Sequence, residues 1–186
     1  MGAGASMSNE SRSILTAQEM ELALKRIALQ ILERNHSVDD LAIVGIHTCG
    51  VDLAVRIRKI IQEQAGVEIP SGSLDITLYR DDWSLISQNP VVRTTDLSFI
   101  VEGTRLILVD DVLFTGRTIR AAMDAIMDYG RPHSIQLAVL VDRSGRELPI
   151  QADYVGMQTT VLPHERIGVL LKEHGGNDEV VILKND

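Results

Sequence analysis

One run of residues, 106–118, constrains the fold more than any other part of this 186-residue chain. The apolar stretch Leu106–Val109 leads into two adjacent carboxylates, Asp110 and Asp111, and then into the turn sequence Thr115-Gly116-Arg117-Thr118. A buried strand that ends in polar residues and turns straight into a helix is typical of open α/β sheets, which bind ligands at the carboxyl ends of their strands. The run therefore predicts both a fold class and the place of a binding site.

The rest of the chain alternates short apolar runs with stretches of helical period, which predicts an α/β fold with a mostly parallel, twisted sheet flanked by helices. Helices are expected from a capping box at Thr16 to about Arg34, over Val51–Gln64 and over Thr118–Tyr129. Residues 80–96 have no clear period, and a loop of that length in a compact domain is usually functional. Strands are expected at Leu41–Ile46, Leu74–Tyr79, Arg105–Val109, Ser134–Val141, Tyr154–Gln158, Ile167–Leu171 and Val180–Leu183.

The composition limits the class of protein. The sequence carries 18 Lys and Arg against 26 Asp and Glu, a net charge of −8, so a general basic field for nucleic acid is absent. Its one cysteine, Cys49, excludes an internal disulfide and fits a reducing cytoplasm, and no apolar run reaches membrane-spanning length. We expect residues 1–13 to be a disordered leader, residues 14–186 to form a single domain, and the protein to be cytoplasmic with no membrane partner.

The chemistry of the 106–118 run suits a ribose 5-phosphate. A helix N-terminus offers free amides and a favourable dipole to a phosphate, Gly116 lets the backbone come close, and Thr115 and Thr118 add hydroxyl donors. Asp110 and Asp111 can accept hydrogen bonds from the two ribose hydroxyls. The alternative is an ordinary surface turn with an acidic pair and a threonine N-cap. The predicted nucleotide-binding set is Asp110, Asp111, Val112, Leu113, Phe114, Thr115, Gly116, Arg117 and Thr118.

Residues 106–118 match the thirteen-residue phosphoribosyl pyrophosphate signature of the phosphoribosyltransferases. Longer blocks resemble the PyrR family, whose members regulate pyrimidine operons by attenuation and are also uracil phosphoribosyltransferases. The likeness covers about residues 16–183. Its most specific blocks are Leu74–Asp82, Gly130–Pro132, Ile135–Arg143, Arg146–Ile150 and Ala152–Gly156.

The resemblance implies a type I phosphoribosyltransferase fold, in which a small hood tops the sheet. It implies uracil and Mg²⁺-bound phosphoribosyl pyrophosphate as substrates, UMP as product, and UMP-dependent binding of pyr operon mRNA, which attenuates transcription. A homodimer or homotetramer is the implied assembly. Asp110, Asp111 and Arg80 are the implied catalytic residues, and the two aspartates would hold Mg²⁺ directly or through water.

Three more segments take roles from the same resemblance. Residues 47–50 would bind pyrophosphate, and residues 79–96 would form a lid over the reaction. Within a hood segment, residues 142–156, Arg143 and Val155 would hold the base. By name, the loop residues are His47, Thr48, Cys49 and Gly50, and the first lid residues are Tyr79, Arg80, Asp81 and Asp82.

Two departures from the family pattern bear on function. The family's pyrophosphate loop reads Thr-Arg-Gly, whereas Cys49 stands at the arginine position, so a contact worth about 2–4 kcal/mol is absent and weak turnover is expected. Cys49 as a nucleophile is an alternative that the reaction does not need. On the first helix the family's Arg-Ile-Ala-His becomes Arg26-Ile27-Ala28-Leu29. The basic residues that could still form an RNA patch, or else an ordinary solvated surface, are Lys25, Arg26, Arg143 and Arg146.

Three functions therefore stay open on the sequence. The family resemblance favours a regulator that has both activities. Cys49 favours a nucleotide sensor without catalysis, and the altered RNA-binding sequence favours an enzyme without RNA binding.

Overall fold

Two β-sheets and three α-helices make up the computed structural model, which describes residues 11–81 and 94–184. In chain order the elements are β1 (Arg12–Leu15), α1 (Ala17–Asn35), β2 (Leu41–Ile46), α2 (Cys49–Ala65), β3 (Ser71–Leu74), a 3₁₀ turn (Thr77–Tyr79), β4 (Asp96–Leu97), β5 (Arg105–Leu113), α3 (Arg117–Met127), β6 (Ser134–Arg143), β7 (Tyr154–Thr159), β8 (Glu165–Leu170), a second 3₁₀ turn (Lys172–His174) and β9 (Glu179–Lys184).

The larger sheet has the strand order β4-β3-β2-β5-β6-β7, and its neighbouring strands are parallel except for β3 with the short edge strand β4. Parallel sheets are covered on both faces, and accordingly all six residues of β2 are buried. β5 lies between β2 and β6 and delivers Asp110, opposite Val139, to the carboxyl edge of the sheet. The predicted class, a mostly parallel sheet flanked by helices, is confirmed.

The helices cover both faces of this sheet. On one face α1 and α2 pack against strand residues such as Ile43 and Ile107, and on the other α3 packs against Val44 and Leu108. The side chains alternate between the faces because successive residues of a strand point in opposite directions. All four are fully buried, and trimming a buried isoleucine or leucine to alanine costs about 2–5 kcal/mol. Among the described residues, no helix is both long and apolar enough to cross a membrane.

Both ends of the described chain meet in the small antiparallel sheet, which has the order β1-β9-β8. Arg12 and Ser13 pair with Ile182 and Val181, so the disordered leader predicted for residues 1–13 is wrong at these two positions. The strand is too short to show a period, and its partner lies at the other end of the chain. Residues 1–10 of the predicted leader lie outside the described residues.

The hood predicted at Asp142–Gly156 is also misplaced. These residues end β6, form a connecting loop and begin β7, and both strands belong to the larger sheet. The separate small sheet is built from β1, β8 and β9, and β8 reaches the first turn of α2, where the Val169 carbonyl oxygen lies 3.9 Å from Cys49 Sγ. Pairing between distant short strands leaves no local pattern from which this arrangement could be predicted.

The ends of β3 and β5 differ from the prediction, the first for a local reason and the second through pairing with β6. β3 ends at Leu74 because the Asp75 carboxylate accepts hydrogen bonds from the backbone N–H of Thr77 at 2.8 Å and from its hydroxyl at 2.5 Å. An aspartate that binds its own backbone two residues on makes a turn, so the strand predicted to continue to Tyr79 is wrong there. β5 continues past Val109 to Leu113 because β6 pairs with it along that length.

Candidate active site

A cavity of ≈ 350 Å³ opens at the carboxyl edge of the larger sheet. It brings together the loop after β2, the turn after β3, the end of β5 and the first turn of α3, as expected where parallel strands end side by side. Its described lining residues are His47, Thr48, Asp75, Ile76, Thr77, Arg80, Asp110, Asp111, Val112 and Thr118.

The predicted acidic pair lies at the wall of this cavity. Asp110 is only 6% exposed, and its Oδ1 accepts the backbone N–H of Asp111 at 3.0 Å. The Oδ1 of Asp111 accepts the backbone N–H of Val112 at 2.8 Å. Burial, and then the neighbouring charge of Asp111, raise the pKa of Asp110 well above its usual range. The pair can accept hydrogen bonds from hydroxyl groups or lie beside a cation. Either contact would favour its ionised form.

The predicted pyrophosphate loop is split between a loop and a helix. His47 and Thr48 line the cavity, whereas α2 already begins at Cys49. Gly50 lies in its first turn, where a Cβ would come within 2.6 Å of the Val109 carbonyl oxygen. Only glycine lets this helix end lie directly on β5.

Cys49 does not behave as a nucleophile in this arrangement. Its side chain is half-buried, and the described lining of the cavity does not include it. Burial first, and then the charges of Asp111 and Asp52, raise the pKa of the thiol to about 11. The thiol is therefore protonated at neutral pH, and a thiol in this form is a poor nucleophile.

The signature loop is braced from outside the cavity. Gly116 begins α3 with φ +92°, a left-handed conformation that favours glycine, and it packs against Leu148 and Ile150. The Thr115 carbonyl accepts the backbone N–H groups of Glu147 and Leu148 at 3.0 and 3.1 Å. The segment after β6 therefore fixes the shape of the signature loop, a role that the sequence did not indicate.

The other members of the predicted signature set divide between site and scaffold. Thr118 and Val112 line the cavity, whereas Leu113 is buried in the core. Phe114 is partly exposed beneath the guanidinium of Arg143.

Arg117 points elsewhere than the other signature residues. It contacts the carboxylates of Asp81 at 2.6 Å and Glu147 at 2.7 Å, and the described lining of the cavity does not include it. Arg117 therefore joins the start of the predicted lid to the segment after β6.

The start of the predicted lid is likewise divided. Arg80 lines the cavity, where its guanidinium can meet an anionic ligand. The Tyr79 hydroxyl instead donates to Asp128 at the end of α3, and that hydrogen bond is the largest cause of the raised pKa of Tyr79. Asp82 lies outside the described residues, as do residues 83–93 of the predicted lid.

The predicted base-binding residues stand on neighbouring strands. Arg143, at the end of β6, lies with its guanidinium 3.9 Å from the centre of the Phe114 ring, and Val155 of β7 packs against the α3 side of the core. The described lining of the ≈ 350 Å³ cavity includes neither of them. A second cavity of ≈ 690 Å³ lies at the ends of the same two strands, lined by Asp142, Ser144, Gly145, Arg146, Gln158, Thr159 and Thr160.

Each of the four basic residues predicted to form an RNA patch has a partner within the chain. Lys25 pairs with Glu21 at 2.9 Å on the surface of α1, and Arg26 donates to the carbonyl of Gly156. Arg143 stacks on Phe114 as described, and Arg146 is bound to several backbone carbonyls. Among the described residues, two members of the patch are therefore paired with carboxylates, Arg26 is hydrogen-bonded to a backbone carbonyl, and Arg143 keeps its charge over an aromatic ring.

Sequence reasoning missed three lining residues, Asp75, Ile76 and Thr77. They belong to a block that resembles the PyrR family, but an expected strand hid the turn that carries them to the site. The Asp-x-Thr spacing was the available signal, because it is typical of an aspartate-stabilised turn.

Comparison with known proteins identifies the fold and the family. Residues 10–173 match the family described as the phosphoribosyl transferase domain. The solved structure of Trypanosoma cruzi hypoxanthine phosphoribosyl transferase superposes with a TM-score of 0.73 at 16% identity, covering 97% of this chain and 95% of that one. The HGPRT-ase from Leishmania tarentolae gives 0.68 at 16% identity, over 97% and 100% of the two chains. At this identity the likeness establishes the fold alone, and the predicted type I phosphoribosyltransferase fold is confirmed.

The curated relatives are much more similar in sequence. The "Bifunctional protein PyrR" of Deinococcus radiodurans is 52% identical over 177 residues, 95% of this chain and 97% of the relative. The protein of the same name from Chloroflexus aurantiacus is 55% identical over 178 residues, 96% of this chain and 97% of the relative. The chain therefore belongs to the PyrR family of the phosphoribosyltransferases.

Proposed function

We propose that this protein transfers the phosphoribosyl group of phosphoribosyl pyrophosphate to uracil, giving UMP and pyrophosphate, and that it regulates pyrimidine biosynthesis as a PyrR-family protein. The observation that carries the proposal is the ≈ 350 Å³ cavity at the carboxyl edge of the larger sheet. Its lining combines the acidic pair with Thr118 in the first turn of α3, Thr48 before α2 and Arg80 after the first 3₁₀ turn. Such a set suits a ligand with a diol, a phosphate and a second anionic group.

Each part of the substrate has a fitting partner in this set. The ribose hydroxyls can donate to Asp110 and Asp111, and the 5′-phosphate can accept from the first turn of α3 and from Thr118. Pyrophosphate can accept hydrogen bonds from Thr48 and a charge-assisted contact from Arg80. The bond to pyrophosphate breaks at the anomeric carbon with positive charge on the ring, so positioning and charge stabilisation carry the catalysis.

The donor set also fits a magnesium ion carried by the substrate. Among the described residues, no group of three or more His, Cys, Asp or Glu side chains could hold a metal alone. Asp110 and Asp111 nevertheless form a pair of oxygen ligands, and burial first, then the charge of Asp111, raises the pKa of Asp110. A cation beside the pair would offset both effects. Mg²⁺, when bound with the substrate, would neutralise the leaving group, and the two aspartates would hold it directly or through water.

A turnover assay tests the enzymatic part. Wild-type protein is mixed with uracil, phosphoribosyl pyrophosphate and Mg²⁺, and UMP is measured by chromatography. We expect UMP that disappears when Mg²⁺ is chelated, and no nucleotide when hypoxanthine replaces uracil. If the protein binds UMP but makes none, the nucleotide sensor without catalysis is correct instead.

UMP-dependent binding of pyr operon mRNA is the regulatory part of the proposal, and it follows from membership of the PyrR family. The second candidate is an enzyme without RNA binding, which is favoured by the intrachain partners of Lys25, Arg26, Arg143 and Arg146 and by the net charge of −8. Lys25 remains available, since its side chain is 53% exposed and surface pairs of this kind contribute about 0–1 kcal/mol.

A gel-shift measurement with pyr leader RNA, with and without UMP, separates these two functions. We expect a shift that requires UMP and that Lys25→Glu weakens. If the shift does not depend on UMP, or if there is no shift, only the second candidate function, an enzyme without regulatory RNA binding, remains. The proposed role implies a cytoplasmic homodimer or homotetramer. Light scattering measures the number of subunits.

A further inference from the structure

Arg146 joins three segments around the signature loop. Its Nε donates to the Ile150 carbonyl at 2.8 Å, and its Nη1 donates to the carbonyls of Phe114 at 2.7 Å and Arg143 at 3.0 Å. Its Nη2 binds the carboxylate of Asp142. The side chain is only 25% exposed, so these contacts are partly shielded from water. An arginine bound to four acceptors in this way is part of the scaffold.

The contact with Phe114 has a consequence for the next residues of the loop. In a trans peptide the C=O and the following N–H point in opposite directions. Arg146 holds the Phe114 carbonyl on the side of the 142–150 segment, and the amides of that segment hold the Thr115 carbonyl on the same side. The N–H groups of Thr115 and Gly116 must therefore point away from this segment. An anion at the start of α3 needs N–H groups that are turned in this way.

We propose that Arg146 is a positioning residue of the nucleotide site, which holds the amides of Thr115 and Gly116 in the orientation that binds the 5′-phosphate. The inference rests on the proposed function, since it assumes that this loop binds a nucleotide. It assigns to Arg146 a role distinct from the RNA contact that its basic charge suggests.

The same contacts argue against a direct bond between Arg146 and an RNA phosphate. If RNA drew the guanidinium away from the Phe114 carbonyl, the signature loop would lose its brace and bind UMP more weakly. Coupling between two ligands is reciprocal, so UMP would in turn weaken such an RNA contact. That direction is the opposite of UMP-dependent RNA binding.

Lysine is the informative substitution at this position. An ammonium keeps the positive charge but is a point donor, and it cannot span separate carbonyls and a carboxylate as a planar guanidinium does. A role in positioning therefore requires arginine, whereas a role through charge alone accepts lysine. Arg58→Ala is the matched control, because Arg58 also forms an ion pair, with Glu68, on the part of α2 that leads away from the cavity.

The test is the Kd of UMP by isothermal titration calorimetry for wild type, Arg146→Ala, Arg146→Lys and Arg58→Ala, with thermal melts of each ligand-free protein. We expect both Arg146 variants to weaken UMP binding by about tenfold, equivalent to about 1.4 kcal/mol, and Arg58→Ala to leave it unchanged. The loss must appear in variants that melt as folded proteins, because damage to the fold alone would lower Tm and leave Kd as it was. If Arg146→Ala does not fold, Arg146→Lys decides.

Two results overturn the inference alone: wild-type affinity in Arg146→Ala, or recovery of wild-type affinity in Arg146→Lys. Failure of the wild-type protein to bind UMP overturns the proposed function, and with it this inference. The two failures are therefore distinguishable in one experiment.

Discussion

At the amino edge of the central sheet Asn35, Gln136 and Tyr154 form a closed hydrogen-bonded network, whereas at the carboxyl edge Asp110 and Asp111 lie side by side. The Asn35 and Gln136 amides exchange two hydrogen bonds of 2.9 and 3.0 Å, and the Tyr154 hydroxyl donates to Gln136 at 2.5 Å. All three residues of the network are more than nine-tenths buried. At the other edge, burial and a like charge raise the pKa of Asp110.

The difference shows how one sheet separates stability from chemistry. Buried polar groups stabilise a fold only when their hydrogen bonds are complete, as at the amino edge. The carboxyl edge keeps two adjacent acids, and under the proposed function their partners, ribose hydroxyls and a cation, arrive with the ligand. Such a site costs stability in the free protein and recovers it on binding.

The largest expected effect is that of Asp110→Asn, which should lower the activity and raise the stability. The amide cannot accept the ribose hydroxyls or face a cation as a carboxylate does, so kcat/KM for UMP formation should fall about 10²–10³-fold. Removing a buried acid whose ionisation is unfavourable should raise Tm at pH 7.5, by about 2–4 °C for each kcal/mol gained. Steady-state kinetics and thermal melts measure the two. A lower Tm would show that the acidic pair stabilises the free fold, contrary to the comparison.

The second effect concerns Cys49, which lies at the same carboxyl edge. In Cys49→Arg a guanidinium beside Asp111 would reach the pyrophosphate and offset the charge of the acidic pair, so kcat/KM should rise about tenfold or more. Cys49→Ala is the control and should leave turnover unchanged, because the protonated thiol takes no part in the chemistry. A loss of activity in Cys49→Ala, or no gain in Cys49→Arg, would contradict this account.

A third effect tests the amino edge. Gln136→Leu removes the acceptor of the buried Tyr154 hydroxyl and two hydrogen bonds of the Asn35 amide, so the free energy of unfolding should fall by about 1–3 kcal/mol. The Asn35 amide keeps its hydrogen bonds to the Ile31 carbonyl and from Arg105. Urea titration measures the loss. The control is Lys25→Ala, at an exposed residue, which should change the free energy of unfolding by less than about 1 kcal/mol. The folded fraction should keep the wild-type KM for phosphoribosyl pyrophosphate. A change in that KM would show that the network at the amino edge affects the site at the carboxyl edge.

The sequence predicted the carboxyl edge better than it predicted what surrounds it. The capping box at Thr16 and Glu19 is present, and β2 has the predicted bounds, because these patterns are local and strong. The acidic pair and Thr118 line a cavity because a βα unit carries them to the carboxyl edge of the sheet. The same local reasoning placed Asp110 and Asp111 after the strand, although pairing with β6 extends β5 through both.

Apart from the local turn at Asp75, what failed was non-local. The strand β1 pairs with the opposite end of the chain, and the bracing of the signature loop by Arg146 depends on a segment some thirty residues away. A basic residue in a sequence suggests a free charge, and only the fold shows which acceptors it meets. The same is true of Cys49, whose neighbours in β5 and β8 determine its pKa.

The smallest expected effect is on the pH dependence of Tm, which should have opposite signs for the carboxylates of the two edges. The raised pKa of Asp110 means that the folded protein keeps a proton that the unfolded chain releases above its ordinary pKa of about 3.9. Stability from this group is therefore greatest at acidic pH and falls as pH rises through the folded pKa. The difference in Tm between Asp110→Asn and wild type should be near zero at pH 4 and grow toward pH 8.

Asp40, at the amino edge, should behave in the reverse way. Its hydrogen bond with Arg105 lowers its pKa, so its contribution is present above the unfolded pKa and is lost as pH falls through the folded pKa. Asp40→Asn should therefore lower Tm slightly at neutral pH and not at all well below the folded pKa of Asp40. Thermal melts of both variants across this pH range check the signs. If the Tm differences of the two variants change with pH in the same direction, the carboxylates at the two edges are not held in different ways.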